Sequence, residues 1–409
     1  MADPESPSLF HHRPYLLFWT ARSLSAFAVQ MAAVATGWLV YQRTGSAYDL
    51  GFIGLTQFVP MVLLTLPAGH IADRFDRRII IATCQLIEGA ALAFLAAGIL
   101  DGRLGLAEIF AAVAVLGGAQ AFERPTMAAL LPSLVPVPML ARAIAMSSSA
   151  NQSAYIVGPA VGGLLYAVDV AVPFGVSAGF MLGAAILVAA IRLIPRAAAL
   201  REKATLASIF SGISFISHRP ILLGAISLDL FAVLLGGATA LLPIYARDIL
   251  GTGPWGLGAL RSAPAVGALA MSILLTRFSF RRRVGVTMFA AVIAFGVATL
   301  VFAVSANMAL SFVALIAVGA ADNVSVVIRS SLVQLATPDA VRGRVNAVNS
   351  LFIGTSNQLG EFESGITAGL LGAVPAALLG GAATIMVALL WMWLFPALRR
   401  VETLSERAE

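Results

Sequence analysis

His12 to Leu17 reads HRPYLL, and residues 218–223 read HRPILL. The echo continues. Phe27-Ala28-Val29 returns as Phe231-Ala232-Val233, Tyr41 as Tyr245 and Pro60 as Pro264, each 204 residues on. Pro136, Arg142 and Gly158 are matched by Pro338, Arg344 and Gly360 at an offset of 202. A near-constant offset held over so many positions means that one plan is used twice in the same direction. We therefore expect two parallel halves, residues 1–195 and 219–409, joined by residues 196–218.

Composition says what the halves are made of. Of 409 residues 59% are hydrophobic and only 11% charged, with a mean hydropathy of +0.92. Soluble domains carry about 25% charged residues, so the chain belongs in a bilayer. Runs of about 20 apolar residues can cross the hydrocarbon core as helices. Twelve such spans are predicted, near 15–41, 50–69, 79–100, 106–131, 142–167, 172–195, 219–245, 256–276, 284–304, 309–334, 345–370 and 376–395. The expected fold is thus all-α, with six membrane helices in each half. The N-terminal MADPESPSLF lacks the basic region of a signal peptide, so the first span is expected to be retained. In the connecting segment, Leu206, Ile209, Phe210, Ile213 and Ile216 keep helical spacing, which predicts a helix on the cytoplasmic membrane surface.

Charge supplies the orientation. With the N-terminus inside, cytoplasmic segments hold 19 of the 26 Lys and Arg residues and the opposite side holds three, Arg43, Arg103 and Arg247. The remaining four, Arg22, Arg124, Arg261 and Arg329, fall within spans. This asymmetry predicts that both termini are cytoplasmic. The net charge of +6 is then a topology signal. Its natural partners are anionic lipid headgroups, and no nucleic acid is needed to explain it. The single cysteine, Cys84, and the four histidines, all in connecting segments, leave no metal or catalytic set in the spans.

Two motifs carry a resemblance. GHIADRFDRR (69–78), between spans 2 and 3, resembles the loop signature of the major facilitator superfamily at Gly69, Asp73, Arg74, Arg77 and Arg78. Asp76 stands where that pattern has glycine. GPAVGG (158–163) in span 5 looks like the core of the antiporter motif, with Gly158, Pro159, Gly162 and Gly163 in place. ALLPSLVP in the first half, and the second half's RSSLVQLATPDAVRGRVNAVNSLF, resemble the enterobactin-exporter-like branch, which includes siderophore, macrolide and multidrug exporters. The resemblance covers essentially the whole chain. It implies alternating access between two six-helix bundles in a bacterial inner membrane, with the 69–78 loop as a cytoplasmic gate. There Asp73 offers its carboxylate to the N-terminal end of span 11 near Arg344, where free N–H groups favour an anion. Topology alone accounts for the arginines of that loop, and close helix packing accounts for the glycines of GPAVGG.

Ionisable residues inside spans mark pathways or pairs. At about 1.5 Å rise per residue, Arg22 and Glu123 lie at one depth in the first half, and Asp229 and Arg329 in the second. Each half is therefore expected to hold one ion pair between its first and fourth helices, either as a brace or in a proton pathway. Asp322 and Arg329, seven apart, share a face. Glu88, in a peripheral helix, reads as a packing residue, and Arg261 as reaching for the outer interface. Asn151 and Gln152 are amides near mid-membrane that want partners. Glu361 takes the place of Pro159 in the repeat, and Glu363 points about 200° away from it. Asn357 shares the face of Glu361, which favours Glu361 at the cavity and Glu363 at a neighbouring helix or the outer interface, with the reverse assignment open.

The expected function is export of small amphipathic molecules. No phosphate-binding GxxxxGK[ST] loop occurs, so the proton gradient is the expected driver and no cofactor or metal is required. A monomer is expected. An importer or lysophospholipid transporter of the same fold is the nearest alternative. A transporter-like sensor or scaffold is a more distant one, and a membrane enzyme lacks a catalytic set.

Overall fold

A computed structural model describes residue 9 and residues 12–192, 206–277 and 283–403. It is almost wholly helical. The first half contains α1 (Arg13–Thr44), α2 (Ala47–Arg74), α3 (Arg77–Leu100), α4 (Leu106–Leu130), α5 (Val137–Val168) and α6 (Val172–Ala189). After α7 (Leu206–Ser217) come α8 (Pro220–Gly236), α9 (Gly253–Arg277), α10 (Val284–Val304), α11 (Met308–Ala336), α12 (Asp339–Leu371) and α13 (Ala373–Leu394). Among the described residues, ten helical segments are long and apolar enough to cross a membrane. The two further spans expected from sequence fall on α5 and α12, 32 and 33 residues long, which carry polar groups such as Asn151 and Gln152, and Asn357 and Glu361. That polarity is what a helix lining an aqueous cavity carries.

The repeat is visible in the packing. In the first half α3 packs on α4 and α6, and in the second α10 packs in the same way on α11 and α13. Gly158 of α5 lies against Phe27 and Gln30 of α1, while its counterpart Gly360 of α12 lies against Val233 and Leu234 of α8. A Cβ at Gly158 would sit 2.7 Å from the Gln30 Cβ, and one at Gly162 would sit 2.8 Å from the Met31 Cα. Small residues let these backbones approach closely, which is the main source of packing energy between helices in lipid.

By internal contacts the chain forms two compact units, Met1–Thr36 with Val59–Lys203, and Gly37–Phe58 with Ala204–Glu409. The hairpin made by the end of α1 and the start of α2 therefore packs inside the second unit. There Gly51 and Gly365 meet backbone to backbone, and the Phe52 ring packs at a tilt on Phe362, 5.6 Å between ring centres.

Two elements depart from the sequence reading. The span expected at 219–245 is broken at Gly236–Gly237, passes through a 3₁₀ turn (Ala238–Leu241), and ends in a π-helical turn (Tyr245–Ile249). Adjacent glycines weaken a helix, and Pro243 has no N–H to continue one. The freed Gly237 carbonyl accepts a hydrogen bond from Ser364 Oγ at 2.7 Å. The connecting helix α7 also differs from a helix resting only on lipid. Gly212 packs on the Arg344 backbone, and Ile216 is buried with Leu222, Val345 and Val348. Ile213 remains exposed.

Candidate functional site

In the first unit, Arg22 (α1) and Glu123 (α4) line a cavity of about 250 Å³ with Gln30, Gln120, Arg124, Asn151 and Tyr155. The two expected partners do face one space and interact electrostatically. Among the described residues, however, no ion pair joins them directly. Glu123 Oε1 instead accepts hydrogen bonds from Ser25 Oγ and Gln85 Nε2, both at 2.8 Å. Equal depth brought Arg22 and Glu123 together, but helix rotation put a hydroxyl and an amide nearer than the guanidinium. Asn151 lines the cavity; Gln152, about 100° further round the helix, is not among the lining residues.

In the second unit, Arg329 (α11) and Asp229 (α8) form the expected ion pair, with side chains 4% and 9% exposed. Two turns along α11, Asp322 lines a small space shared with Asp229 and Ser325. It also lines a cavity of about 180 Å³ that Asn357 and Glu361 reach from α12. The broken backbone at Gly236–Thr239 forms one wall, and Phe295, Thr299 and Phe302 form another. Irregular backbone is tolerated at membrane depth where it lines a cavity in this way.

Glu361 is thus the cavity-facing acid of the pair. Its carboxylate lies 4.0 Å from the Arg261 guanidinium, so Arg261 turns to a protein partner and not to the interface expected for it. Glu363 accepts a hydrogen bond from Thr367 Oγ1 on the next turn at 2.7 Å and is satisfied within its own helix. Gly54 lies so close that a Cβ there would come within 3.3 Å of Glu361 Oε2. Three carboxyls, Asp229, Asp322 and Glu361, thus line adjoining spaces, with Arg329 beside the first and Arg261 beside the last, an arrangement in which gaining or losing a proton changes what a cavity can hold.

The loop motif does structural work within the first unit. Arg77 donates to the Ala129 carbonyl at 3.0 Å, and Arg78 donates to the Ile191 carbonyl, so both tie the ends of neighbouring helices to the start of α3. Asp76, at the glycine position, caps α3 by accepting from the Arg78 backbone N–H at 2.9 Å and pairs with its guanidinium. The Arg78 guanidinium holds the Asp76 carboxyl below the usual range. The side chain of Asp73, and any beyond the backbone at Gly69, lie outside the described residues. Gly158, Pro159, Gly162 and Gly163 are buried, and the cavity lining does not include them.

A family model for transmembrane secretion effectors of the major facilitator superfamily matches residues 6–408. The chain belongs to that family. It is 29% identical over 371 residues to the "Multidrug efflux pump Tap" of Mycolicibacterium fortuitum, covering 86% of this chain and 88% of that protein. It is 29% identical over 154 residues to "Macrolide efflux protein A" of Streptococcus pyogenes, 38% of each chain. The fold is shared with a bacterial homologue of the human lysosomal transporter Spinster, at a TM-score of 0.73 and 14% identity over 96% of this chain and 97% of that one. The protein is therefore a multi-pass membrane protein of the major facilitator fold.

Several groups at the cavities carry a weaker signal in the sequence. Gln30 and Gln120, which line the first cavity, and Gln85, which bonds to Glu123, are amides inside apolar spans, and the argument applied to Asn151 extends to them. Ser25, Thr239 and Thr299 carry no such signal, because a hydroxyl can bond to its own helix anywhere along it.

Proposed function

We propose that the protein is a proton-coupled exporter of small amphipathic molecules, working by alternating access. The observation that carries this reading is the row of carboxyls Asp229, Asp322 and Glu361 along adjoining spaces of the second unit, the first of them paired with Arg329. Buried ionisable groups in spans are costly and mark ion or substrate routes. In this reading Asp322 and Glu361 carry protons. Protonation of Glu361 releases Arg261 and changes the charge of the cavity, and loss of that proton resets it. Phe295 and Phe302 offer apolar surface to the substrate, and Asn357 offers hydrogen bonds. The 69–78 loop is the cytoplasmic gating element. The names of the relatives support the direction of transport, since they are efflux proteins.

The test uses inside-out vesicles from a pump-deficient host, an imposed pH gradient, and a panel of amphipathic drugs, macrolides, siderophores and lysophospholipids. At least one compound is expected to accumulate, to leak away when the gradient is collapsed, and to fall to background in Glu361→Gln. If nothing accumulates in response to the gradient, or Glu361→Gln transports normally, the reading fails. Accumulation of lysophospholipid alone, or transport only in the opposite direction, favours the lipid-transporter or importer alternative.

A further inference from the structure

Helix α3 carries a carboxyl that this scheme leaves unused. Glu88 is fully buried at 0% exposure, and neither of its oxygens receives a hydrogen bond from a donor. An ionised carboxylate left so in a membrane protein interior would be severely penalised. Gln85, one turn earlier on α3, reaches the carboxyl of Glu123 on α4 at 2.8 Å, and the Glu88 carboxyl lies within electrostatic reach of the same group.

The surroundings of the two acids differ. Glu123 Oε1 already accepts from Ser25 and Gln85, which leaves Oε2 for a further donor. Arg124 on α4 and Arg22 on α1 add positive charge near the pair. From α3 itself comes Cys84, one turn before Glu88. The remaining neighbour, α6, brings no titratable side chain. Glu123 is therefore placed as a hydrogen-bond acceptor, while among the described residues no donor reaches Glu88. Two carboxylates in contact in a low-dielectric interior cannot both be ionised, and such a pair takes up its protons as one unit.

We propose that Glu88 and Glu123 share one proton, held as Glu88 O–H donating to Glu123, and so form a proton-binding site in the first unit. Glu123 also lines the cavity that holds Arg22 and Asn151, which gives the proton a route to that space. Use of this site in transport rests on the proton-coupled reading above; its existence does not.

Infrared spectroscopy of the purified protein in lipid nanodiscs tests it without substrate or gradient. At neutral pH the wild type should show a carboxylic C=O stretch that shifts in D₂O. Glu88→Gln should abolish that component. Glu123→Gln and Ser25→Ala should move its frequency, since each alters the acceptor. An unchanged carboxylic region in Glu88→Gln means that Glu88 is ionised and overturns the proposal. A component lost in Glu88→Gln but unmoved by both other variants is an isolated neutral acid, which also overturns it. Ser25→Ala keeps both carboxyls and removes only one donor to Glu123, so it decides the matter if Glu88→Gln does not fold. Failure of gradient-driven transport in the Glu361 experiment leaves these spectra fully readable.

Discussion

Asp229 and Arg329 are 100 positions apart in sequence and bonded in space. Each is buried, so each depends on the other for its charge to be tolerated. Removing one partner leaves an uncompensated charge, at a cost of about 3–5 kcal/mol. Asp229→Ala and Arg329→Ala are each expected to lower the melting temperature of the detergent-purified protein sharply. Replacing both with apolar residues, Asp229→Leu with Arg329→Met, should recover most of the loss, because the hydrophobic pair needs no desolvated charge. If the double variant melts no higher than the singles, the pair is not the main source of their instability. The same scale shows the limit of sequence reading. Helical spacing separates Glu361 from Glu363 by direction, but only the packing of α12 against α8 and the α1–α2 hairpin shows which of them meets the cavity.

The start of α3 makes the corresponding point for elements. Asp76 departs from the family's loop pattern, yet the departure has a physical use, since its side chain accepts the Arg78 N–H at the helix N-terminus. Loss of such a cap costs about 1 kcal/mol, so Asp76→Ala should lower thermal stability by about that amount. Arg78 holds the Asp76 carboxyl below its ordinary range in the folded state. Its contribution is therefore complete above the unfolded carboxylate value near about 3.9, and is lost as pH falls through the lower folded value. Asp76→Asn retains a capping oxygen but cannot titrate. Melting curves taken down through the acid range should therefore fall less steeply for Asp76→Asn than for the wild type. Equal acid limbs would remove Asp76 from the groups responsible. The break in α8 was less legible, although Gly236-Gly237 and Pro243 are its cause. Prolines and paired glycines also occur inside unbroken helices here, Pro125 with Gly117-Gly118 and Pro159 with Gly162-Gly163 among them. What distinguishes the break is that Ser364 and a cavity wall receive the freed backbone.

For the molecule as a whole, the strongest statement in the sequence is the bias of positive charge, 19 residues against three. We expect both termini on the cytoplasmic side. Cys84 is the sole cysteine and is buried, so a Cys84→Ser background is suitable for labelling. A membrane-impermeant maleimide should label Asp101→Cys in intact cells, and Ser217→Cys only after the membrane is opened. The reverse pattern would sink the orientation. Residue order by itself determined the membrane class, the helix positions, the twofold repeat and the family, because these follow from the hydropathy and spacing of residues along one chain. Tertiary structure decided that Glu123 bonds to Ser25 and Gln85, that Arg261 turns to Glu361, and that Glu88 lies within electrostatic reach of Glu123. Each of these depends on how one helix is rotated against another, a quantity set by the packing of small residues such as Gly158, Gly162 and Gly360 and not by the local sequence around the charge.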